Sequence, residues 1–179
     1  MPVNPFPDGT KLMDRMHKLA VFFSYSTRLQ ELHKFANVVD IALIRLKVDI
    51  STTRVSARMF MLESIVRLHK ALVLYSVTYK VDWAITVDDL ETCTEFLAIL
   101  KCSGKVATLS QTETQYTSAL SLPLREHMMD EFRSETLQVV DLTNVTANPK
   151  MPCISKQVAD MTPTGKEALR RATLEGERR

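Results

Sequence analysis

Apolar positions recur at steps of three and four along most of this chain, and two-residue alternation is never sustained. That periodicity predicts helices. In KLMDRMHKLAVFF, Leu12, Met16, Leu19 and Phe23 line one side, while Lys11, Arg15, Lys18 and Phe22 line nearly the opposite side. A first helix is expected over about 11–24, capped by Thr10 or Asp8, behind a flexible arm at 1–9 that holds three Pro and one Gly. Thr27 and Gln30 have capping-box spacing and open a second helix over about 28–48, with Leu29, Leu32, Ala36, Val39, Leu43 and Leu46 as its stripe. A break is expected in DISTT, residues 49–53. The third helix, 54–80, carries Met61, Leu62, Ile65, Leu68 and Leu72 on one face and Phe60, Leu74 and Val77 on another. A helix apolar nearly all round belongs at the centre of a bundle or between subunits, and the second is expected for part of this one.

Further on, Thr86 and Asp89 mark a fourth start, with Asp88, Asp89 and Glu91 in the first turn and Gly104 as the stop. Ser110 and Glu113 have capping-box spacing and predict a short fifth helix. Pro123 begins a sixth over 123–140, with Leu124, Met128, Phe132 and Val139 inward. Beyond Thr143, Pro149, Pro152 and Pro163 bring the composition of a linker, with room for a short helix near 165–175. The expected fold class is all-α: a single helical bundle of about five or six helices over 10–142. A flexible N-terminal arm precedes it, and a mostly disordered C-terminal tail follows over 143–179.

Composition narrows the functional classes. With 179 residues, 45% of them hydrophobic, the chain can bury one core, and four Gly leave no glycine-rich phosphate loop. Three widely spaced cysteines, Cys93, Cys102 and Cys153, predict reduced thiols and a cytoplasmic or nuclear setting. The N-terminus lacks a basic flank leading into an apolar run, so secretion is not expected, nor is an integral membrane segment.

Charge changes the picture most. Residues 1–80 hold twelve Lys/Arg against six Asp/Glu, residues 81–148 four against eleven, and residues 149–179 seven against four, blocks of +6, −7 and +3. Such asymmetry predicts a charged partner or head-to-tail docking of subunits. No zinc-finger, helix-turn-helix, RNP, heptad or hydrolase pattern is present. Among the histidines, His69 falls on an apolar face as a core residue bonded to a carbonyl, and His17 and His33 need no role. A zinc site from Cys93, Cys102 and His127 lacks closely spaced ligand pairs. Asp88, Asp89, Glu91 and Glu95 are explained by a helix N-terminus. No catalytic residue, metal or cofactor is therefore nominated, and the chain is not expected to be an enzyme.

The main expectation is a self-associating protein that binds RNA or another polyanion through backbone contacts. Lys11, Arg15, Lys18, Lys34, Arg45, Arg54 and Arg58 would be its cations and Phe22 its stacking surface. The alternative is a protein–protein scaffold with basic-to-acidic subunit docking and no nucleic acid. A third possibility lays helix 1 on an anionic membrane through Phe22 and Phe23. Arg170 and Arg171 precede Thr173 in the manner of a phosphorylation site in a flexible tail.

Overall fold

The computed structural model describes residues 6–41, 44–48, 55–81, 85–112, 118–146 and 150–178; the side chains of 55, 105–112, 118–121 and 178 are not among them. Within these residues the protein is mainly helical: α1 (Pro7–Phe22), α2 (Ser26–Val38), α3 (Val55–Arg67), α4 (His69–Tyr79), α5 (Val87–Thr112), α6 (Ser118–Arg133) and α7 (Pro163–Arg178). Between α6 and α7 lies a two-stranded antiparallel sheet of β1 (Thr136–Val140) and β2 (Cys153–Gln157), followed by a single 3-10 turn at Val158–Asp160.

α1 starts earlier than its apolar stripe suggests. Pro7 occupies its first turn, where a missing N–H is harmless and a fixed φ is favourable, so Pro7, Asp8 and Gly9 belong to the helix and not to an arm. Its stripe behaves as expected, since Leu12, Met16, Leu19 and Phe23 are all buried. That burial places Phe23, one of the two rings of the membrane possibility, in the core.

α2 begins at Ser26, and the Thr27–Gln30 box does not form; Tyr25 precedes the helix without a side-chain cap. The helix stops at Val38, ten residues short of expectation. Asp40 takes a left-handed φ of 51°, which ends the ladder, and Ile41 N–H returns to the carbonyl of Ala36. The expected break at 49–53 lies outside the described residues.

The long third helix is two helices. At Leu68 the backbone reaches φ −91° and ψ 7°, and the buried His69 Nδ1 lies 2.8 Å from the carbonyl oxygen of Val66. A carbonyl can only accept, so that ring nitrogen carries the proton, and the bond competes with the helical ladder at the junction. The same environment depresses the His69 pKa: burial disfavours the cation more than the Val66 bond favours it.

α5 is the central element. Eight consecutive residues, Thr92 to Ile99, are buried, and α5 packs against α3, α6, α7 and β1. Among the described residues, the longest unbroken buried run thus belongs to this helix. Its start is as expected: Thr86 N–H donates to Asp89 Oδ2 at 3.0 Å and Asp89 N–H to Thr86 Oγ1 at 3.1 Å, a reciprocal capping box. Its end is not. Gly104 does not stop the helix but is buried within it, where a Cβ would sit 3.1 Å from Met59 Sδ. No separate fifth helix opens at Ser110, because α5 runs on to Thr112.

α6 begins before Pro123, which lies inside it, and ends at Arg133. Residues expected to extend this helix form β1 instead. Thr136, Val139 and Val140 are β-branched, and β1 places Leu137 and Val139 against α5 while Gln138 faces solvent and donates to Ser155 Oγ at 2.6 Å. The stretch expected to be a linker and disordered tail is ordered: β2 pairs with β1 with Val139 opposite Ile154, and α7 packs on α5, α6 and α1. One core cluster lies among α1 to α5, and a second, of Ile99, Met129, Phe132, Leu137, Met161 and Leu169, joins α5 to α6, β1 and α7.

Candidate interaction surface

The basic blocks and the acidic block meet inside the chain. Arg15 of α1 makes a bidentate contact with Asp89 in the first turn of α5, Nη1 to Oδ1 at 3.0 Å and Nη2 to Oδ2 at 2.8 Å. Burial would raise the Asp89 pKa, but hydrogen bonds from Thr86 and the Arg15 guanidinium outweigh it and hold the carboxyl below its ordinary range. Lys156 on β2 reaches Glu95 Oε1 at 2.8 Å and Glu91 Oε2 at 3.4 Å. Its desolvation is overcome by these carboxylates, which raise its pKa. Arg125 of α6 donates to the carbonyl of Gly176 at 2.8 Å and 3.0 Å, satisfying the end of α7, and Arg133 pairs with Glu177 at 3.1 Å. Opposite blocks are thus partly docked on each other within one subunit.

Glu95 is the least expected of these residues. It is fully buried, eight residues into α5, rather than one of a cluster of first-turn acids. Its carboxylate accepts from Thr162 N–H at 3.0 Å and Thr162 Oγ1 at 2.6 Å as well as from Lys156, and so sits against the N-terminal end of α7. Thr162 Oγ1 in turn accepts the Gly165 N–H at 3.0 Å. Only glycine fits at 165, because a Cβ there would overlap Glu95 Oε2. The one sequence sign of this arrangement was an acid in the middle of an apolar run, TCTEFLAIL.

The expected nucleic-acid residues fare unequally. Lys11 is exposed, with Asp8 Oδ1 at 3.7 Å. Arg15 is engaged by Asp89, and Phe22 is covered by Arg28, whose guanidinium lies 3.9 Å from the ring centroid. Phe22 also meets Phe23 edge-on at 5.0 Å and belongs to an aromatic cluster with Tyr75, Phe35 and Tyr79. Lys18, Lys34 and Arg45 are exposed, and no carboxylate among the described residues pairs with them. Arg58 is exposed at the rim of a cleft, and Arg54 lies outside the described residues. Thr173 is not in a flexible tail. It is part-buried in α7 and its hydroxyl donates to the Leu169 carbonyl at 3.0 Å.

α4 presents a different surface. Leu68, Ala71, Leu72 and Tyr75 face the core, while Val73 and Val77, one turn apart, lie on the opposite side, Val77 being 70% exposed. On its other side, where α4 meets α2, Tyr79 packs on Phe35 with centroids 6.0 Å apart; Val38, at the end of α2, is 75% exposed. The other exposed ring of this region, Phe60, is covered by the Lys47 ammonium at 4.4 Å.

Two of the three thiols, Cys93 and Cys102, are buried, and Cys153 is exposed. Burial beside Asp89 pushes Cys93 up to about 12, so it stays protonated. Cys102 is buried and its Sγ lies 2.7 Å from Glu131 Oε2, while His127 Nε2 is 3.5 Å from Glu131 Oε1. Among the described residues, no three His, Cys, Asp or Glu side chains gather as metal ligands. No helix among them is long and apolar enough to cross a membrane.

No protein-family model, curated protein or solved structure matches this chain.

Proposed function

We propose that the protein is a non-catalytic, self-associating helical protein, and that two copies meet through the outer face of α4. The observation that carries this reading is the exposed pair Val73 and Val77 on the side of α4 turned away from its own core. Single exposed valines are ordinary; two of them one turn apart on one outer helix face form a strip that a second apolar face would cover with a gain of about 25 cal/mol per Å². The internal pairing of Arg15 with Asp89 argues for this face over basic-to-acidic docking, since the charges such docking needs are partly engaged already. Light scattering on the purified chain tests it. The wild type is expected to run as a concentration-dependent dimer or larger assembly, and the Val73→Asp, Val77→Asp double variant as a monomer with unchanged helical circular dichroism. A monomeric wild type at all accessible concentrations refutes it.

A second reading, binding of RNA or another polyanion, is favoured by Lys18, Lys34 and Arg45, which stand exposed without a carboxylate partner among the described residues. It predicts an affinity that falls steeply with salt, and a shallower slope when these three become Ala. It no longer relies on Arg15 or on stacking by Phe22.

A further inference from the structure

α1, α3, α5 and α7 do not close on one another completely. They leave a cleft of about 670 Å³ that opens to solvent along one side. Its origin is local. α7 turns Ala168 and Ala172, one helical turn apart, toward the gap, so no large apolar side chain fills it from that wall, while α5 lines it with Phe96, Ile99, Leu100 and Ser103. At one end, the Phe6 ring lies 5.9 Å from that of Phe96. Met13 and Met61 supply flexible, polarisable walls that adapt to aliphatic or aromatic bodies alike. The volume falls in the range of ligand pockets, roughly 300–1,000 Å³, and the lining mixes an apolar floor with polar and charged side chains.

The ionisable groups of the lining are sorted by depth. Asp14, Glu175 and Arg58 are exposed at the rim, whereas His17 and Arg171 are half-buried. Arg171 is oriented by Glu167, which accepts from its Nε at 2.6 Å, and its guanidinium carbon lies 5.5 Å from the Phe6 ring centroid. A charge set in the wall acts through less water than one at the mouth, so Arg171, although it shares its charge with Glu167, counts for more inside the cleft than the exposed Asp14 or Glu175.

We propose that this cleft is a binding site for a small anionic amphiphile, a molecule with an apolar body of fatty-acid size and one carboxylate or sulfonate head directed toward Arg171. The site is separate from the outer face of α4 and does not depend on self-association.

Fluorescence titration of the full chain with anilinonaphthalene sulfonate, followed by competition, tests the proposal. Dodecanoate is expected to displace the probe at concentrations about tenfold or more below those needed for dodecylamine, with dodecanol between them. Ala172→Phe, which fills the gap from α7, is expected to weaken dodecanoate binding about tenfold or more with the helical circular dichroism retained. Arg171→Met is expected to remove the preference for the acid over the alcohol. Equal displacement by dodecylamine and dodecanoate overturns the proposal, as does no displacement by dodecanoate, or an Ala172→Phe variant that is folded and binds like the wild type. If that variant does not fold, the competition series on the wild type decides.

Discussion

Replacing Gly165 by alanine sets two effects of opposite sign against each other. Within a helix, alanine is favoured over glycine by about 1 kcal/mol, so propensity alone predicts stabilisation. Here the added Cβ would overlap Glu95 Oε2, and Glu95 is fully buried with no solvent to retreat into. The carboxylate is held at 3.0 Å by Thr162 N–H, at 2.6 Å by Thr162 Oγ1 and at 2.8 Å by Lys156 Nζ. Moving it off the start of α7 breaks the two Thr162 bonds. Hydrogen bonds to a charged group contribute about 1.5–3 kcal/mol each, so the loss is about 3–6 kcal/mol and the net destabilisation about 2–5 kcal/mol. In a Glu95→Ala background the obstacle is gone, and Gly165→Ala should there be neutral or stabilising by up to about 1 kcal/mol. Urea unfolding of the wild type, both single variants and the double variant, followed by circular dichroism, measures the coupling. The reasoning fails if Gly165→Ala raises the midpoint in the wild-type background, or changes stability equally in both.

Thiol labelling with a water-soluble disulfide reagent at mildly alkaline pH should modify Cys153 rapidly, because it is exposed, and leave the buried Cys93 and Cys102 protected until the chain is unfolded. Rapid native-state labelling of all three would contradict the packing of α5. Acid titration probes the Arg15–Asp89 contact. The folded-state pKa of Asp89 lies below its ordinary value of 3.8, so its contribution is complete above that value and is lost as pH falls through the folded value. Asp89→Asn should therefore lose less stability than the wild type between mildly acidic pH and about pH 2. Identical acid profiles would show that Asp89 gains nothing from Arg15 or Thr86.

Local chemistry in the sequence went a long way. The 3.6-residue stripe of α1 marks its buried side residue by residue, because a helix repeats its contacts at fixed steps and Leu12, Met16, Leu19 and Phe23 can meet a core only together. The start of α5 was legible because a capping box is completed by residues three apart, and His69 because its partner, Val66, is three residues away. Length, helical class and core capacity belong to this same local level.

What local pattern could not decide is which segments meet. The +6 and −7 blocks called for an anion and a cation, but Arg15 and Asp89 are 74 positions apart, and only the docking of α1 on the end of α5 makes them partners. The run TCTEFLAIL reads as a poorly amphipathic helix until three sides of α5 are covered; then Glu95 becomes the acceptor that anchors α7 across 67 positions. Residues 136–140 carry apolar spacing that suits either a helix or a strand, and it is pairing with β2 and packing on α5 that selects the strand. The cleft has no sequence signature, since it is the space left where α1, α3, α5 and α7, drawn from distant parts of the chain, fail to close on one another. Periodicity is settled by neighbours along the chain, whereas partners, burial of charge and empty volume are settled by helices brought together from far apart in it.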